Sequence, residues 1–277
     1  MNEQRTSEEY FAELRRRIEG PEGGLEGKKA VVIGIANNQS IAYGCACAFK
    51  AFGAQLAMTY LNEKTRKYTE PLAQSLGVSD ALYLPCDVSQ PGQLEAVFEA
   101  IEREWGGLDI ALHSIAFAPR DDLHGRVVDC SREGFLMAMD ISVHSFIRMA
   151  KLAEPLMKNG GTIFTMSYYG AERVVEHYNL MGPVKAALQT AAIYLAAELG
   201  PKGIRVHPIS PGPINTRAAS GIDQFDELMR IAAERAPARM LCSIEDVGVA
   251  TAFLATDYAK LITGDVMYID GGYHIVG

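Results

Sequence analysis

A doubly wound α/β fold, with seven parallel strands and helices on both faces of one sheet, is what this sequence predicts, and three observations carry it. Short apolar, β-branched runs alternate with helical stretches through residue 166, a pattern that closes into parallel strands joined by right-handed crossovers. The first run ends in Gly34 and feeds an alanine-rich helix, so free backbone N–H groups and the positive end of a helix dipole meet at one point. Hydrophobic residues make up 48% of the 277 positions, and with no break in composition this is enough for one large core.

Taken in order, residues 7–19 predict a short amphipathic helix, capped by Ser7, with Tyr10, Phe11, Leu14 and Ile18 on one face. The glycine- and proline-rich stretch over 20–24 is a flexible joint. Residues 1–24 are therefore an extension that either docks on a neighbouring subunit or stays a partly ordered terminus. A single domain spans 25–277. Its strands are predicted over 28–33, 55–60, 81–88, 108–113, 161–166, 204–209 and from 262 to the Gly271-Gly272 pair. A long apolar helix is expected from about Tyr178 to Leu199. Because a helix advances ~100° per residue, Tyr178 and Lys185, seven apart, differ by ~20° and share one face. A phenol and an ammonium then line one cleft. Residues 217–235, with Gly221 and an amphipathic helix, suit a lid over a substrate.

A net charge of -8 and a pI near 5.3 argue against nucleic acid or an anionic membrane as partner. The five cysteines, at 45, 47, 86, 130 and 242, make no paired framework, and Cys45 and Cys47 point in different directions on a helix. Free thiols imply a reducing compartment. The polar first residues hold no apolar leader and no run spans a bilayer, so a cytoplasmic protein is expected. None of the six histidines stands at metal-ligand spacing, and no metal is expected.

The stretch from Thr165 to Lys185 resembles the active site of the short-chain dehydrogenases/reductases, with a departure. Their common form has Ser, then Tyr some thirteen residues on, then Lys four after the Tyr. Here Met181 holds that tyrosine position and Tyr168 the serine position. Both changes resemble the branch containing the enoyl-acyl-carrier-protein reductases, which use Tyr-x6-Lys with a second tyrosine ten residues upstream. By spacing alone the pair is open to chance; the remaining segments decide. Gly34, five residues, Ser40-Ile41-Ala42, then Gly44 is similar to that branch's Gly-x5-Ser-Ile-Ala-x-Gly, and Pro211-Gly-Pro-Ile214-Asn-Thr216 matches its Pro-Gly-Pro-Ile-x-Thr. The resemblance runs from about Leu25 to the C-terminus.

It implies a Rossmann-like fold, NADH as cofactor, acyl carrier protein as the partner bearing the substrate, and a homotetramer. For the cofactor it implies Gly34, Ser40 and Ile41 at the phosphates, Leu61 after the second strand, and Asp87 and Val88 at the adenine. Ser114, Ile115 and Ala116 would lie across the crevice, with Lys185 on the nicotinamide ribose and Ile214, Thr216 and Ala218 along the nicotinamide and pyrophosphate. Asp87 has an alternative as the cap of a helix starting near Gln90. Leu61 is neither the acid of NAD sites nor the arginine of NADP sites, while Glu63, Lys64 and Arg66 pull in opposite directions, which leaves NADPH open. Ala116 replaces a family glycine, and either tightens the nicotinamide pocket or changes nothing. Ala118, Tyr168 and Tyr178 would border the substrate, unless Tyr168 is simply a core residue.

The implied activity is reduction of the trans-2 double bond of an enoyl thioester, with Tyr168, Tyr178 and Lys185 as catalytic residues. Tyr178 would donate to the thioester oxygen as charge develops there. Two alternatives remain: a reductase of the same branch acting on another activated alkene or a carbonyl, and a non-catalytic NAD(P)-binding scaffold. Met181 disfavours ordinary alcohol dehydrogenation, and the joint presence of Tyr168, Tyr178 and Lys185 disfavours a scaffold.

Overall fold

The computed structural model describes residues 24–216 and 225–276. The expected helix over 7–19, the joint as far as residue 23, Ala218 and the first part of the expected lid lie outside the described residues.

Seven strands, β1 (Lys29–Ile33), β2 (Gln55–Tyr60), β3 (Tyr83–Pro85), β4 (Ile110–His113), β5 (Gly161–Met166), β6 (Ile204–Pro211) and β7 (Met267–Ile269), form one sheet. Every neighbouring pair is parallel, in the order β3-β2-β1-β4-β5-β6-β7. The central strands are buried almost end to end, as a sheet covered by helices on both faces requires. The expected doubly wound fold is thus present. Four strands are shorter than predicted: β1 and β4 by one and two residues at their starts, and the two edges, β3 and β7, by more. β3 is reduced to three residues because a 3-10 turn takes Asp80–Leu82 and because Pro85 has no N–H to extend a ladder.

The helices are α1 (Ile41–Ala51), α2 (Glu63–Ser75), α3 (Gln93–Trp105), α4 (Arg120–His124), α5 (Arg132–Met139), α6 (Ser145–Ala153), α7 (Met181–Leu199), α8 (Phe225–Arg235) and α9 (Ile244–Ala255). A π-helical turn, Asp140–His144, joins α5 to α6. Among the described residues no helix is long and apolar enough to cross a membrane. Glycines let α1 and α9 cross in contact: a methyl group on Gly44 would overlap the Ile244 carbonyl, and one on Gly248 the Gly44 carbonyl. Gly44 therefore belongs to helix packing, although it completes the phosphate-loop string in the sequence.

The predicted start of α7 needs correction. The helix begins at Met181, not Tyr178. Pro183 has no N–H to give the Asn179 carbonyl, so helical bonding cannot extend back through Tyr178. His177 and Asn179 adopt left-handed φ values of 64° and 42°. Tyr178 therefore sits in a turn, and a shared helix face is not what relates it to Lys185.

Candidate active site

The carboxyl ends of β1, β4, β5 and β6 open on one side of the sheet, and the order reverses between β1 and β4, where open α/β sheets bind ligands. Gly34, at φ 111°, ends β1 so close to β4 that a methyl group would overlap the Ser114 carbonyl. Ser40 precedes α1 without capping it. Its Oγ instead accepts from the N–H groups of Ala36 at 3.0 Å and Asn37 at 3.1 Å, and so fixes the loop. The Ser40 carbonyl accepts from Tyr43 and Gly44, whereas Ile41 and Ala42, at the first turn, have no intrahelical acceptor to meet. A pyrophosphate fits that cradle of open N–H groups beside a glycine.

Leu61, half-exposed at the end of β2, carries no charge. Asn62 and Thr65 then cap α2 reciprocally. Arg66 is engaged: it donates to Glu70 at 3.0 Å, approaches Glu63 at 3.6 Å, and lies 5.5 Å from the Tyr60 ring centre. Two carboxylates thus compete with any phosphate for its charge. Asp87 accepts from the backbone and hydroxyl of Ser89, at 3.0 and 2.6 Å. α3 starts at Gln93 after Gly92, so the alternative in which Asp87 caps that helix fails. Val88 is buried, and its carbonyl accepts from Arg148, which is also bonded to Glu95.

The segment after β4 is held from below. His113 pairs with Thr165 at 3.2 Å and Ser145 at 2.7 Å. Burial, aided by the charge of Lys185, pushes its pKa down to about 3, so the ring is neutral. In the π turn, Ser142 Oγ accepts from the Phe117 N–H at 3.1 Å and lies 3.3 Å from the Phe117 carbonyl. Ser114, Ile115, Ala116 and Ala118 are thereby placed across the crevice mouth, with Ala116 exposed. Sequence reasoning missed Ser142 and Ser145. The available signal was two serines three apart, on either side of Val143 and His144, in a helical stretch, and π turns recur at functional sites.

At the end of β5, Lys185 reaches from α7 and donates to the Met166 carbonyl at 2.6 Å, while Gln189 donates to Ser167 at 2.9 Å. Burial lowers the Lys185 pKa to about 8. The rings of Tyr168 and Tyr178 meet edge to face, with centres 4.9 Å apart. Gly170 makes room for this, since a methyl group there would come within 2.6 Å of the Tyr178 ring. Burial drives both phenols above their ordinary pKa, so both stay protonated. Among the described residues the Tyr168 hydroxyl is buried without a hydrogen-bond partner, which a purely core role leaves unexplained. Tyr168 also packs on a small second core of Tyr169, Ala232, Ala236 and Tyr273, which joins α8 to the β5 loop. Beyond β6, Gly212 and Pro213 are buried, and Thr216 N–H bonds to the Ile214 carbonyl at 2.8 Å. The described site residues thus cluster at one sheet edge. A cavity of about 230 Å³ beside Thr162, Arg205 and Lys260 lies at the opposite edge.

A family model described as enoyl-(acyl carrier protein) reductase matches residues 34–274. The chain belongs to that family. The reductase is 46% identical over 255 residues to the NADH-type enoyl-acyl-carrier-protein reductase 1 of Rhizobium meliloti, covering 92% of this chain and 93% of that protein. A crystal structure of the Anaplasma phagocytophilum enoyl-acyl-carrier-protein reductase in complex with NAD is 47% identical, with a TM-score of 0.87, over 91% of this chain and 96% of that one. The Bacillus cereus enoyl-acyl-carrier-protein reductase, solved with NADP+ and an indole naphthyridinone, is 45% identical, with a TM-score of 0.88, over 91% and 98%.

Proposed function

We propose that this reductase saturates the trans-2 double bond of an enoyl thioester carried on acyl carrier protein, using NADH, in fatty-acid elongation. The observation that carries this is the pair of buried, protonated tyrosines at the carboxyl end of β5, with the Lys185 ammonium bonded two residues before Tyr168. The residues around the crevice fit a dinucleotide: the Gly34–Ala42 cradle for phosphate, and a buried ammonium whose recorded bond is to a backbone carbonyl. When bound, NADH supplies the hydride that adds to C3 of the substrate. Negative charge would then grow on the thioester oxygen, where Tyr178 donates a hydrogen bond, and the resulting enolate would take up a proton at C2, so that one hydride and one proton complete the saturated bond. Lys185 holds the nicotinamide ribose hydroxyls and adds positive potential. Tyr168, whose hydroxyl has no partner among the described residues, borders the thioester, and Ala118 lines the acyl path. Asp87, Val88, Ile214, Thr216 and Ala218 complete the cofactor site.

NADH is favoured over NADPH because Leu61 is uncharged and Arg66 already faces two carboxylates. The free cysteines suit a cytoplasmic setting. Two exposed apolar patches support a homotetramer. One comprises Phe135, Leu136, Met137 and Ile147 of α5 and α6 with Ile193 and Tyr194 of the adjacent α7; the other comprises Val249 and Phe253 of α9 with Leu261. Each patch, paired with its own copy on a second chain, would make one kind of two-fold interface, and two such kinds make four chains.

The test is oxidation of NADH and NADPH, side by side, with crotonyl thioester and with acetoacetyl thioester. Enoyl-dependent oxidation, faster with NADH, is expected. Oxidation with the keto substrate alone would move the reaction to the carbonyl, and none with either would leave a binding scaffold.

A further inference from the structure

Among the described residues, three other than glycine have positive φ, and two of them, His177 and Asn179, flank Tyr178. Strain of this kind persists only where surrounding structure holds it. The turn is bonded on each side: Tyr178 N–H to the Val175 carbonyl at 3.2 Å, Met181 N–H to the Tyr178 carbonyl at 3.0 Å, and Gly182 N–H to the Asn179 carbonyl at 3.0 Å. Asn179 adds a long-range tie. Its Nδ2 donates to the Leu123 carbonyl in α4 at 2.8 Å.

α4 is itself anchored. The buried Asp122 carboxylate accepts from the Ser131 N–H at 2.5 Å and its hydroxyl at 3.0 Å. The same Ser131 caps α5, and a methyl group on Gly134 would overlap the Asp122 carboxylate. α4 follows Ala118 after one residue, so it continues the wall assigned to the acyl path. A fixed strut therefore runs from the start of α5, through α4, to the turn that carries Tyr178.

We propose that Asn179 is the positioning residue that sets Tyr178 against the substrate oxygen. This rests on the reading of Tyr178 as the hydrogen-bond donor. Glycine would accept the left-handed backbone without the tie, and aspartate would replace the amide donor by an acceptor facing a carbonyl. Asparagine meets both demands: it tolerates the conformation better than most side chains and carries a donor. The tie bears on Tyr178 most directly: Gly34 to Ala42 hang on β1 and α1, and Lys185, although on the helix into which the turn leads, is held by its own bond to the Met166 carbonyl.

The test is a double-mutant cycle in the full-length enzyme with Asn179→Gly, Asn179→Asp, Tyr178→Phe and the Gly/Phe double variant, reading kcat, KM, the NADH Kd and the melting temperature. Loss of positioning is expected to lower kcat about 10-fold or more in Asn179→Gly, because small misplacements of a catalytic group are costly, and at least as much in Asn179→Asp. NADH affinity should stay within about two-fold of the parent. In the Tyr178→Phe background, Asn179→Gly should cost nothing further, since groups acting as one unit are not additive. An unchanged kcat in Asn179→Gly, an equal loss in both backgrounds, or a parallel loss of NADH affinity would overturn the role of Asn179 while leaving Tyr178 as donor. Unchanged turnover in Tyr178→Phe alone would overturn the donor reading and the positioning role with it.

Discussion

Lys185 keeps an ammonium inside the molecule, bonded to the Met166 carbonyl, and burial has moved its pKa from 10.5 to about 8. The sign follows from proton counting. Between about 8 and 10.5 the unfolded chain binds more protons than the free enzyme, so this group makes folding stability rise with pH across that window. Cofactor binding runs the other way. Ribose hydroxyls favour the charged form, so the bound state holds the proton more tightly and NADH affinity falls as pH rises through about 8. Fluorescence titration of NADH should show Kd rising several-fold, up to about ten-fold per pH unit above that point, while Lys185→Ala binds weakly with a flatter profile. A pH-independent Kd in the parent enzyme would remove Lys185 from the cofactor site. At this scale the sequence put Tyr178 and Lys185 on one helix face lining a cleft, and the shared face fails, because Tyr178 precedes the helix. They meet that cleft from a turn and from a helix. Neither left-handed residue of the turn is a glycine, so the sequence carried only weaker signs of it, Asn179 itself and the proline at 183.

The crossing of α1 and α9 makes Gly44 a structural hinge for the phosphate cradle. Gly44→Ala forces the Ile244 backbone away, an overpacking that typically costs about 1–3 kcal/mol. It should also tilt the first turn of α1 and weaken NADH binding, in contrast with a surface change such as Lys50→Ala on the same helix. Thermal melting and NADH titration of the two variants check this; equal behaviour would place the crossing elsewhere in the energetics. β5 was legible to the residue because it is buried on both faces and paired on both sides. β3 and β7 were read too long, since an edge strand ends where its single neighbour or a proline stops the ladder. The π turn was not legible, because its apolar stripe continues that of α5 and α6, and the displaced bonding shows only in the backbone.

The doubly wound parallel sheet followed from alternation and the Gly34 turn, before any side chain was placed, whereas the order of its strands shows only in the structure. What a single chain leaves exposed is a different matter: Tyr194 and Val249 stand 68% and 54% accessible on separate helices, and buried against other copies they would account for two interfaces. Analytical ultracentrifugation should return four 30.1 kDa chains, and Tyr194→Glu should halve the assembly by charging one patch. A monomeric parent would leave both patches for other partners.

The central claim is that Tyr178 donates to the oxygen on which charge develops. Tyr178→Phe keeps the ring against Tyr168 and removes the hydroxyl. Turnover of a 2-enoyl thioester at saturating NADH should fall by ~10²–10³, the usual loss of one oxyanion donor, with NADH affinity unchanged. Turnover equal to that of the parent enzyme would contradict the account.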